Sequence, residues 1–323
     1  MKKDSILIIT SKDDVHTDFI INKLNANGLE DKVVRFNTED FTNNCLLTYT
    51  NETSILYFLD SNRDIKSENI LSVWYRRPKE PVIDTTVIEY SSFIKEQTEA
   101  AIKGFYFSTH FETKWINRLD SLYRAKLKIQ QLELAKRVGF KIPETIVTNN
   151  PNDLSNFLSK HIKVSTKSLD YPNTKVNGKL FPIYNRIISN DELSKNIQSI
   201  RYCPGIFQKY IDKAFDIRVI IIGKTITAFA IYSQEKDLSI EDVRGVSAFD
   251  LRHEIFELPR NILNNINSFM TEQRLVFSAI DLLYGSDGEF YFLENNPNGQ
   301  WLWLEEKTGF SLSDIFIKEL LTP

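Results

Sequence analysis

The chain has 323 residues, enough for two or three modest domains that each bury a core of their own. Its formal net charge of -3, with lysines and acids interspersed, offers no basic field. That argues against nucleic acid as a general partner, because such affinity rests on clustered Lys and Arg. The two cysteines, Cys45 and Cys203, stand in unrelated contexts, which predicts neither a disulfide framework nor a zinc site and favours ordinary thiols in a reducing cytoplasm.

The first predicted domain, residues 1–117, has the pattern of a small α/β unit. Lysines precede an apolar run at residues 6–9, but the run is too short for a signal peptide and charge follows it, so it predicts a buried strand. No run reaches membrane-spanning length, and we expect a cytoplasmic protein without a membrane partner. A helix is predicted over 15–27, strands at 33–36, 46–50, 55–59 and 73–75, and a helix over 89–107.

Residues 118–200 and 201–323 are the second and third predicted domains. The second has helical spacing over 121–138 before Gly139, strands at 142–147 and 162–166, a helix at 154–160, and loop composition at 170–180 that predicts a mobile loop. The third has strands at 206–210, 217–222 and 225–232, a hairpin, and a closing helix at 312–321. This alternation of strands and helices favours a layered α/β fold.

The hairpin is predicted to bind a metal. Its arms alternate apolar and aromatic residues around an Asp-Gly at 287–288, a strong hairpin signal. With residues 286 and 287 at the tip, Asp281 faces Phe292, and Glu294 and Asn296 lie on the same sheet face. Two carboxylates and a carboxamide suit Mg²⁺ that is also held by the phosphates of a nucleotide. The alternative is a surface hairpin with solvated acids, which the apolar flanking residues disfavour.

Together these features resemble the ATP-grasp superfamily, in which two α+β lobes hold ATP behind an N-terminal α/β domain. The resemblance implies a central lobe over 118–200, a C-terminal grasp lobe over 201–323, and ATP with two Mg²⁺ ions as cofactors. The family's hairpin supplies an Asp and a Glu-x-Asn to the metals. Asp281, Glu294 and Asn296 match those ligands in type and order.

Two lysines match the family's phosphate-contacting positions. The first belongs to a helix that runs Lys-x-x-x-Gln/Leu toward a Gly, and Lys128, followed by Gln131 and Leu132, fits this pattern. Lys126 lies half a turn away and leaves the choice open. The second follows the strand at 162–166, which points to Lys167. For both, the alternative is an ordinary solvated lysine; in the family role they act as point charges on the phosphates.

The resemblance further implies an adenine hinge and an arginine that steadies the transferred phosphoryl group. In the hinge, backbone groups meet the adenine edge and one carboxylate accepts from the ribose; its residues are Gln208, Lys209, Tyr210, Ile211 and Asp212. Arg218 matches the arginine, and Arg244 is a second candidate, because a guanidinium grips phosphate at two points. The alternatives are salt bridges of Arg218 with Asp216 and of Arg244 with Asp242.

A narrower resemblance is to the microviridin-type graspetide synthetases. It is carried by residues 73–78 (Val-Trp-Tyr-Arg-Arg-Pro), 145–151, 216–218 and 296–305. The Asn-Gly-Gln-Trp at 298–301 is its most specific part, because it goes beyond the superfamily's Glu-x-Asn. One departure is Asp242-Val243-Arg244, where the family often has Asp-Trp-Arg.

This resemblance implies a peptide macrocyclase. Such ligases phosphorylate Asp or Glu side chains of a ribosomally made precursor, with an N-terminal leader and a core rich in Thr/Ser and Asp/Glu, and close them onto Ser/Thr hydroxyls (ω-ester) or Lys amines (ω-amide). The rivals are an ATP-grasp ligase acting on a free amino acid or small peptide, and a non-catalytic ATP-binding regulator. The precursor, the linkage, the number of rings and whether the protein is a homodimer stay open.

Overall fold

The computed structural model describes residues 3–109, 113–170, 173–176, 179–183, 185–189, 196–233 and 251–323. Within them the strands are β1 (Ser5–Thr10), β2 (Val33–Asn37), β3 (Cys45–Tyr49), β4 (Ser54–Phe58), β5 (Arg63–Lys66), β6 (Ile70–Tyr75), β7 (Lys114–Ile116), β8 (Thr145–Thr148), β9 (Lys163–Lys167), β10 (Asn173–Val176), β11 (Lys179–Pro182), β12 (Arg186–Ser189), β13 (Gly205–Lys209), β14 (Lys213–Ile222), β15 (Thr225–Ile231), β16 (His253–Phe256), β17 (Phe277–Gly285) and β18 (Phe290–Asn296). The α-helices are α1 (Val15–Ala26), α2 (Ser91–Ser108), α3 (Leu119–Ala125), α4 (Lys128–Arg137), α5 (Pro151–Leu158), α6 (Arg260–Gln273), α7 (Leu302–Thr308) and α8 (Leu312–Leu321). Short 3-10 helices cover Glu30–Lys32, Thr38–Asp40, Ser67–Asn69, Thr85–Tyr90 and Ile197–Tyr202. None of the helices described here combines the length with the apolar composition that a membrane crossing requires.

The chain forms two compact units. The first consists of Met1–Leu122, Leu275–Phe277 and Ser311–Pro323, and the second of Tyr123–Arg274 and Ser278–Phe310. The closing helix α8, predicted at its observed bounds, therefore belongs to the first unit. The predicted division into three domains at residues 117 and 200 stays a prediction.

The first unit is built on a four-stranded parallel sheet in the order β2-β1-β6-β7. The central strand β1 is buried from Ile6 to Ile9, which explains why its sequence is a continuous apolar run rather than an alternating one. The other strands described in this unit form a separate antiparallel sheet, β3-β4-β5. Helix α8 packs here through Phe316, whose ring centroid lies 4.7 Å from that of Trp74.

Residues 275–277 belong to the first unit, where the side chain of Asn117 hydrogen-bonds to their backbone. The side chain of Asn117 is buried, and its Oδ1 accepts from the backbone N–H groups of Val276 and Phe277 at 2.7 and 2.9 Å. Its Nδ2 donates to the carbonyl of Phe277 at 2.8 Å. A side-chain amide thus satisfies backbone groups that would otherwise be buried without partners.

The second unit contains two larger antiparallel arrangements. The order of one sheet is β12-β9-β13-β8, and the order of the other is β16-β15-β14-β17-β18, in which β17 and β18 are the predicted hairpin. The mobile loop predicted over 170–180 is wrong for the residues described there, because β10 pairs with β11 in a short hairpin from Asn173↔Pro182 to Val176↔Lys179. The Asn and Gly content that predicted a loop is also typical of short β-hairpins.

The single helix predicted over 121–138 is also wrong. The structure has two helices, α3 and α4, separated at residues 126 and 127. Leu127 takes an extended backbone with φ -75° and ψ 106° and is 60% exposed. A break this short leaves the apolar spacing nearly unchanged, so periodicity alone does not reveal it. Its consequence is that Lys128 becomes the first residue of a helix.

Candidate active site

The two predicted metal carboxylates lie directly opposite each other on the hairpin. Asp281 of β17 pairs with Glu294 of β18, so the predicted register, with Asp281 opposite Phe292, is wrong. The connection between the strands is longer than two residues, and a β-bulge at the Asp281/Leu282 step leaves Leu293 as an extra residue on β18. A bulge places two residues of one strand against one of its partner and re-aims the side chains beside it. It brings the carboxylates closer together than the regular ladder predicts.

Both predicted lysines converge on Glu294. Lys128 donates from Nζ to Glu294 Oε2 at 2.7 Å. Lys167, the last residue of β9, has its Nζ 3.6 Å from the same oxygen and donates to the carbonyl of Leu293 at 2.9 Å. Lys126 is exposed, which favours Lys128 for the position that the sequence left open.

Asp281 is held by an arginine on the neighbouring strand. Arg218 of β14 donates from Nη1 to both carboxylate oxygens of Asp281 at 2.7 Å, and from Nη2 to the carbonyl of Gln300 at 3.3 Å. The salt bridge with Asp216, considered from the sequence as the alternative for Arg218, does not form. Asp216 instead accepts from Lys213 Nζ at 2.7 Å and from the hydroxyl of Ser233.

Burial and charge oppose each other across this cluster. Burial raises the pKa of Asp281 above its ordinary value, although Arg218 lowers it. Burial raises the pKa of Glu294 too, but Lys167 and Lys128 outweigh that effect and hold the pKa at about 2. Burial lowers the pKa of Lys167, against the pull of Glu294. The cluster is therefore a partly desolvated set of charges that neutralise one another.

The oxygen ligands that the hairpin offers are too few for Mg²⁺ alone, so the remaining ligands must come from a bound nucleotide and water. Within the described ranges, no three His, Cys, Asp or Glu side chains come together as a metal site. Asp281 and Glu294 supply two carboxylates, and Asn296, exposed at the end of β18, follows Glu294 on the same face of the strand. Hard oxygen donors in this number match a Mg²⁺ ion whose remaining positions go to phosphates and water.

Comparisons with known proteins identify the fold and the kind of enzyme. Residues 5–122 match the family described as the MvdD pre-ATP grasp domain. A RiPP-associated ATP-grasp ligase from Chryseobacterium gregarium, solved with ADP and a leader and core peptide, is 27% identical, over 99% of this chain and 96% of that chain, with a TM-score of 0.87. The chain is an ATP-grasp ligase. The predicted resemblance to the ATP-grasp superfamily and its microviridin-type members is thus confirmed.

Two further solved structures share the ligase's fold. The macrocyclase MdnB from Microcystis aeruginosa MRC is 25% identical, over 99% of this chain and 100% of that chain, with a TM-score of 0.79. The macrocyclase MdnC from the same organism, bound with precursor peptide MdnA, is 24% identical, over 98% and 99%, with a TM-score of 0.82. The second likeness bears on the fold alone. No curated protein matches the sequence significantly.

The predicted adenine hinge of this ATP-grasp ligase is partly engaged within the protein. Gln208 is buried and donates from Nε2 to Thr145 Oγ1 at 3.0 Å. The N–H groups of Lys209 and Tyr210 donate to the carbonyls of Glu144 and Lys163 at 2.8 and 3.1 Å, and the carbonyl of Asp212 accepts from Ser286. Within the described residues no backbone hydrogen bond is found for Ile211. The adenine role of residues 208–212 stays a prediction.

Arg244, the second arginine predicted from the sequence, lies outside the described residues. Its role therefore stays a prediction. Arg218 is the only one of the two arginine candidates whose position the structure describes, and it lies within the charge cluster.

The sequence analysis named two residues of the site only as parts of motifs and gave them no role of their own. Gly299 lies so close to Arg218 that an added Cβ would be 2.8 Å from Nη2 and 2.4 Å from the Cβ of Ala279. Gln131 is buried and hydrogen-bonds the backbone of Asn295. Two signals in the sequence could have revealed their roles, namely the glycine in the Asn-Gly-Gln-Trp segment and the glutamine among the apolar positions of a helix.

Proposed function

We propose that this ligase phosphorylates the side-chain carboxylates of Asp or Glu in a ribosomally made precursor peptide and closes them onto Ser or Thr hydroxyls, or Lys amines, of the same peptide. The observation that carries this proposal is the convergence of Lys128, Lys167 and Arg218 on the paired carboxylates Asp281 and Glu294. The similar ligase solved with ADP and a leader and core peptide supports a peptide substrate. The products would be ester or amide macrocycles.

In this mechanism the cations exchange partners when ATP binds. The phosphates carry more negative charge than Glu294, so Lys128 and Lys167 turn from that carboxylate to the phosphates as point charges. The carboxylates Asp281 and Glu294, with Asn296, would then hold Mg²⁺, and we propose two ions. When bound, the metal would neutralise charge and polarise the transferred phosphoryl group. Arg218 offsets the charge that develops on the phosphoryl oxygens.

The chemistry takes two steps. An oxygen of the peptide carboxylate attacks the γ-phosphorus, the bond to ADP breaks, and an acyl phosphate forms. A hydroxyl oxygen or an amine nitrogen of the same peptide then attacks the acyl carbon, phosphate leaves, and a proton is released. Tethering gives the nucleophile a high effective concentration, which favours ring closure over hydrolysis. Each ring consumes one ATP and lowers the mass of the peptide by one water. No side chain is assigned as a general base.

The proposal is tested by removing one metal-ligand charge. Glu294→Gln keeps the shape of the side chain, so we expect folding to survive while ADP release and peptide mass loss both collapse. Glu289→Gln is a matched control, because Glu289 lies at the turn of the same hairpin, is 48% exposed and pairs with Lys141 rather than with the site. Near-normal turnover of Glu294→Gln at saturating Mg²⁺ would overturn the metal assignment.

The substrate part of the proposal needs a separate experiment. A precursor with its N-terminal leader should be modified far better than the isolated core, because remote binding energy positions the reacting groups. Ester rings, which we expect, open under mild base, whereas amide rings persist. If the peptide stays at its unmodified mass while free amino acids stimulate ADP release, the rival ligase for a small substrate takes its place.

The remaining alternatives follow from the same residues. A non-catalytic regulator has little reason to retain the full set of Asp281, Glu294 and Asn296, which disfavours that rival. We also propose a cytoplasmic location, in keeping with two unpaired cysteines. A homodimer is a further proposal, and sedimentation of the purified ligase tests it.

A further inference from the structure

The strand that carries Glu294 and Asn296 lies at the edge of its sheet. Among the described strands of this sheet, whose order is β16-β15-β14-β17-β18, β18 has a strand neighbour on one side only. The backbone groups on its other side need partners, because edge N–H and C=O groups that are buried without hydrogen bonds are costly. At Phe292 the partner is the carbonyl of Lys141, which accepts from the Phe292 N–H at 2.8 Å.

Three residues further along β18, the side chain of Gln131 hydrogen-bonds to the edge backbone groups that a neighbouring strand would otherwise pair with. Gln131 Oε1 accepts from the backbone N–H of Asn295 at 3.0 Å, and Gln131 Nε2 donates to the carbonyl of the same residue at 2.9 Å. The Nε2 group also donates to the carbonyl of Ala125, at the end of α3, at 2.6 Å. The glutamine is 2% exposed, so its amide is satisfied inside the protein and does not face solvent.

The same helix carries the first lysine of the site. Lys128 precedes Gln131 by three residues on α4, and these positions are neighbours on a helix surface. On the strand, Asn295 is flanked by Glu294 and Asn296. One buried contact between helix and strand therefore sets the separation between the Lys128 side chain and the two β18 residues that the proposed mechanism uses.

We propose that Gln131 is a positioning residue that fixes Lys128 relative to Glu294 and Asn296 by acting as a strand partner for Asn295. It touches neither nucleotide nor peptide and acts through the residues beside it. This inference rests on the proposed nucleotide role of Lys128. Glutamine is suited to the task because its amide offers one acceptor and two donors at a fixed spacing, and all three observed bonds use them.

Substitution at this position removes the hydrogen bonds selectively. Gln131→Met has a similar length but leaves the backbone groups of Asn295 buried without partners. Gln131→Glu keeps an acceptor for the Asn295 N–H and loses both donors. Gln130→Met is the matched control, because Gln130 is the adjacent residue of the same helix and its Oε1 accepts from Gln273 Nε2 of α6, away from β18.

The measurement is the affinity for a non-hydrolysable ATP analogue with Mg²⁺, by calorimetry on the folded full chain. We expect Gln131→Met to weaken it on the order of 10- to 100-fold, the range for residues that orient ligands from behind. Gln131→Glu should weaken it at least as much, because its buried carboxylate would face the carbonyls of Ala125 and Asn295 without a donor, and Gln130→Met should leave it unchanged. The stoichiometry of the titration gives the fraction of the protein that is folded. If a Gln131 variant only lowers that fraction, fewer equivalents of the analogue bind, and they bind with unchanged affinity. That result would overturn the proposal.

A double-mutant cycle separates this inference from the proposed function. If Gln131 acts by placing Lys128, its substitution should cost little further affinity in a Lys128→Met background, because interacting residues are non-additive. Full additivity would overturn the positioning role while the function stands. If Lys128→Met alone leaves the affinity unchanged, the nucleotide role of Lys128 fails, and the inference that rests on it fails with it.

Discussion

The acidic residues of the site are neutralised before any ligand binds. Glu294 contacts two lysines and Asp281 accepts two hydrogen bonds from Arg218, so every charge of the pair has a partner of opposite sign. A partly buried charge without a partner is expensive. Each cation proposed for ATP therefore has a second function in the free protein, which is to stabilise the carboxylates.

Lys128 and Lys126 differ in their contacts, and this predicts which of them serves the nucleotide. We expect Lys128→Met to weaken ATP binding, because the substitution keeps an apolar stem and removes the charge that reaches Glu294 at 2.7 Å. Lys126→Met should have no effect, since Lys126 is exposed. Calorimetric titration of both variants with an ATP analogue checks the prediction, and equal losses for the two lysines would contradict it.

Gly299 is predicted to be irreplaceable because of its close neighbours. The Cβ of Gly299→Ala would be 2.4 Å from the Cβ of Ala279 and 2.8 Å from Arg218 Nη2, so the backbone at residue 299 or these neighbours must shift. We expect a loss of stability of about 1–3 kcal/mol, as for other overpacked sites. The rate of ADP release should also fall.

The control for Gly299 is another glycine-to-alanine change. Gly104 lies in α2, and an added Cβ there meets no atom within 4 Å. Gly104→Ala should stabilise the protein by roughly 0.5–1 kcal/mol, because alanine is favoured over glycine inside a helix. Thermal unfolding and steady-state ADP release of both variants decide the matter, and an active, stable Gly299→Ala protein would contradict the packing argument.

Among the secondary-structure elements, the apolar pattern of the sequence predicted the regular helices and strands and missed the short irregular features. The bounds of α8 were predictable because its apolar residues repeat with the helical period, and most residues of β1, β2 and β4 were predictable because each strand is a short, largely apolar run. The strand β5 is short and largely exposed, so no buried face marks it in the sequence. The sequence analysis missed the break before Lys128 and the bulge near Asp281, because each involves only one or two residues and is set by packing. These two irregularities nevertheless determine where the charged side chains of the site lie.

The contribution of α8 to the first unit is testable at one residue. Phe316 is fully buried and contacts Trp74 and Phe277, with ring centroids 4.7 and 5.9 Å away. Phe316→Ala should destabilise this unit by about 3–5 kcal/mol through lost burial and the cavity it leaves. Leu321, 36% exposed on the same helix, is the control, and Leu321→Ala should cost less than about 0.5 kcal/mol.

Hydrogen exchange in the full chain is the measurement for α8. The N–H groups of β6 should lose protection in the Phe316 variant, because the helix packs against Trp74 of that strand. Unchanged protection in β6 would show that α8 adds little to the unit. This readout resolves the two units, which a single unfolding midpoint does not.

In the whole molecule, the segment that matches the family model and the proposed site residues lie in different parts of the chain. The MvdD pre-ATP grasp match at residues 5–122 falls on the first unit, whereas every proposed site residue that the structure describes falls in the second. The resemblance named Lys128, Lys167, Arg218 and the carboxylates as site residues, and the structure brings these side chains together, while their roles stay predictions. It did not predict that the cations contact the acids, because that depends on the fold around the bulge.

These contacts predict that Mg²⁺ and nucleotide bind as a coupled pair. In the free protein Lys128, Lys167 and Arg218 occupy the carboxylates, so Mg²⁺ alone must compete with three cations. Phosphates draw the lysines away and supply further oxygen ligands, and by linkage each ligand must raise the affinity for the other equally.

We therefore expect Mg²⁺ alone to leave thermal stability and hydrogen exchange unchanged at concentrations where ADP with Mg²⁺ protects β17 and β18 of the second unit. At a ligand concentration of roughly 100 times the dissociation constant, the stabilisation should be about 2.7 kcal/mol. Lys128→Met should weaken this coupling, because it frees Glu294 from one competitor and deletes one phosphate contact. If Mg²⁺ alone protects the hairpin as strongly as the pair does, the carboxylates are available without nucleotide and the exchange of partners does not occur.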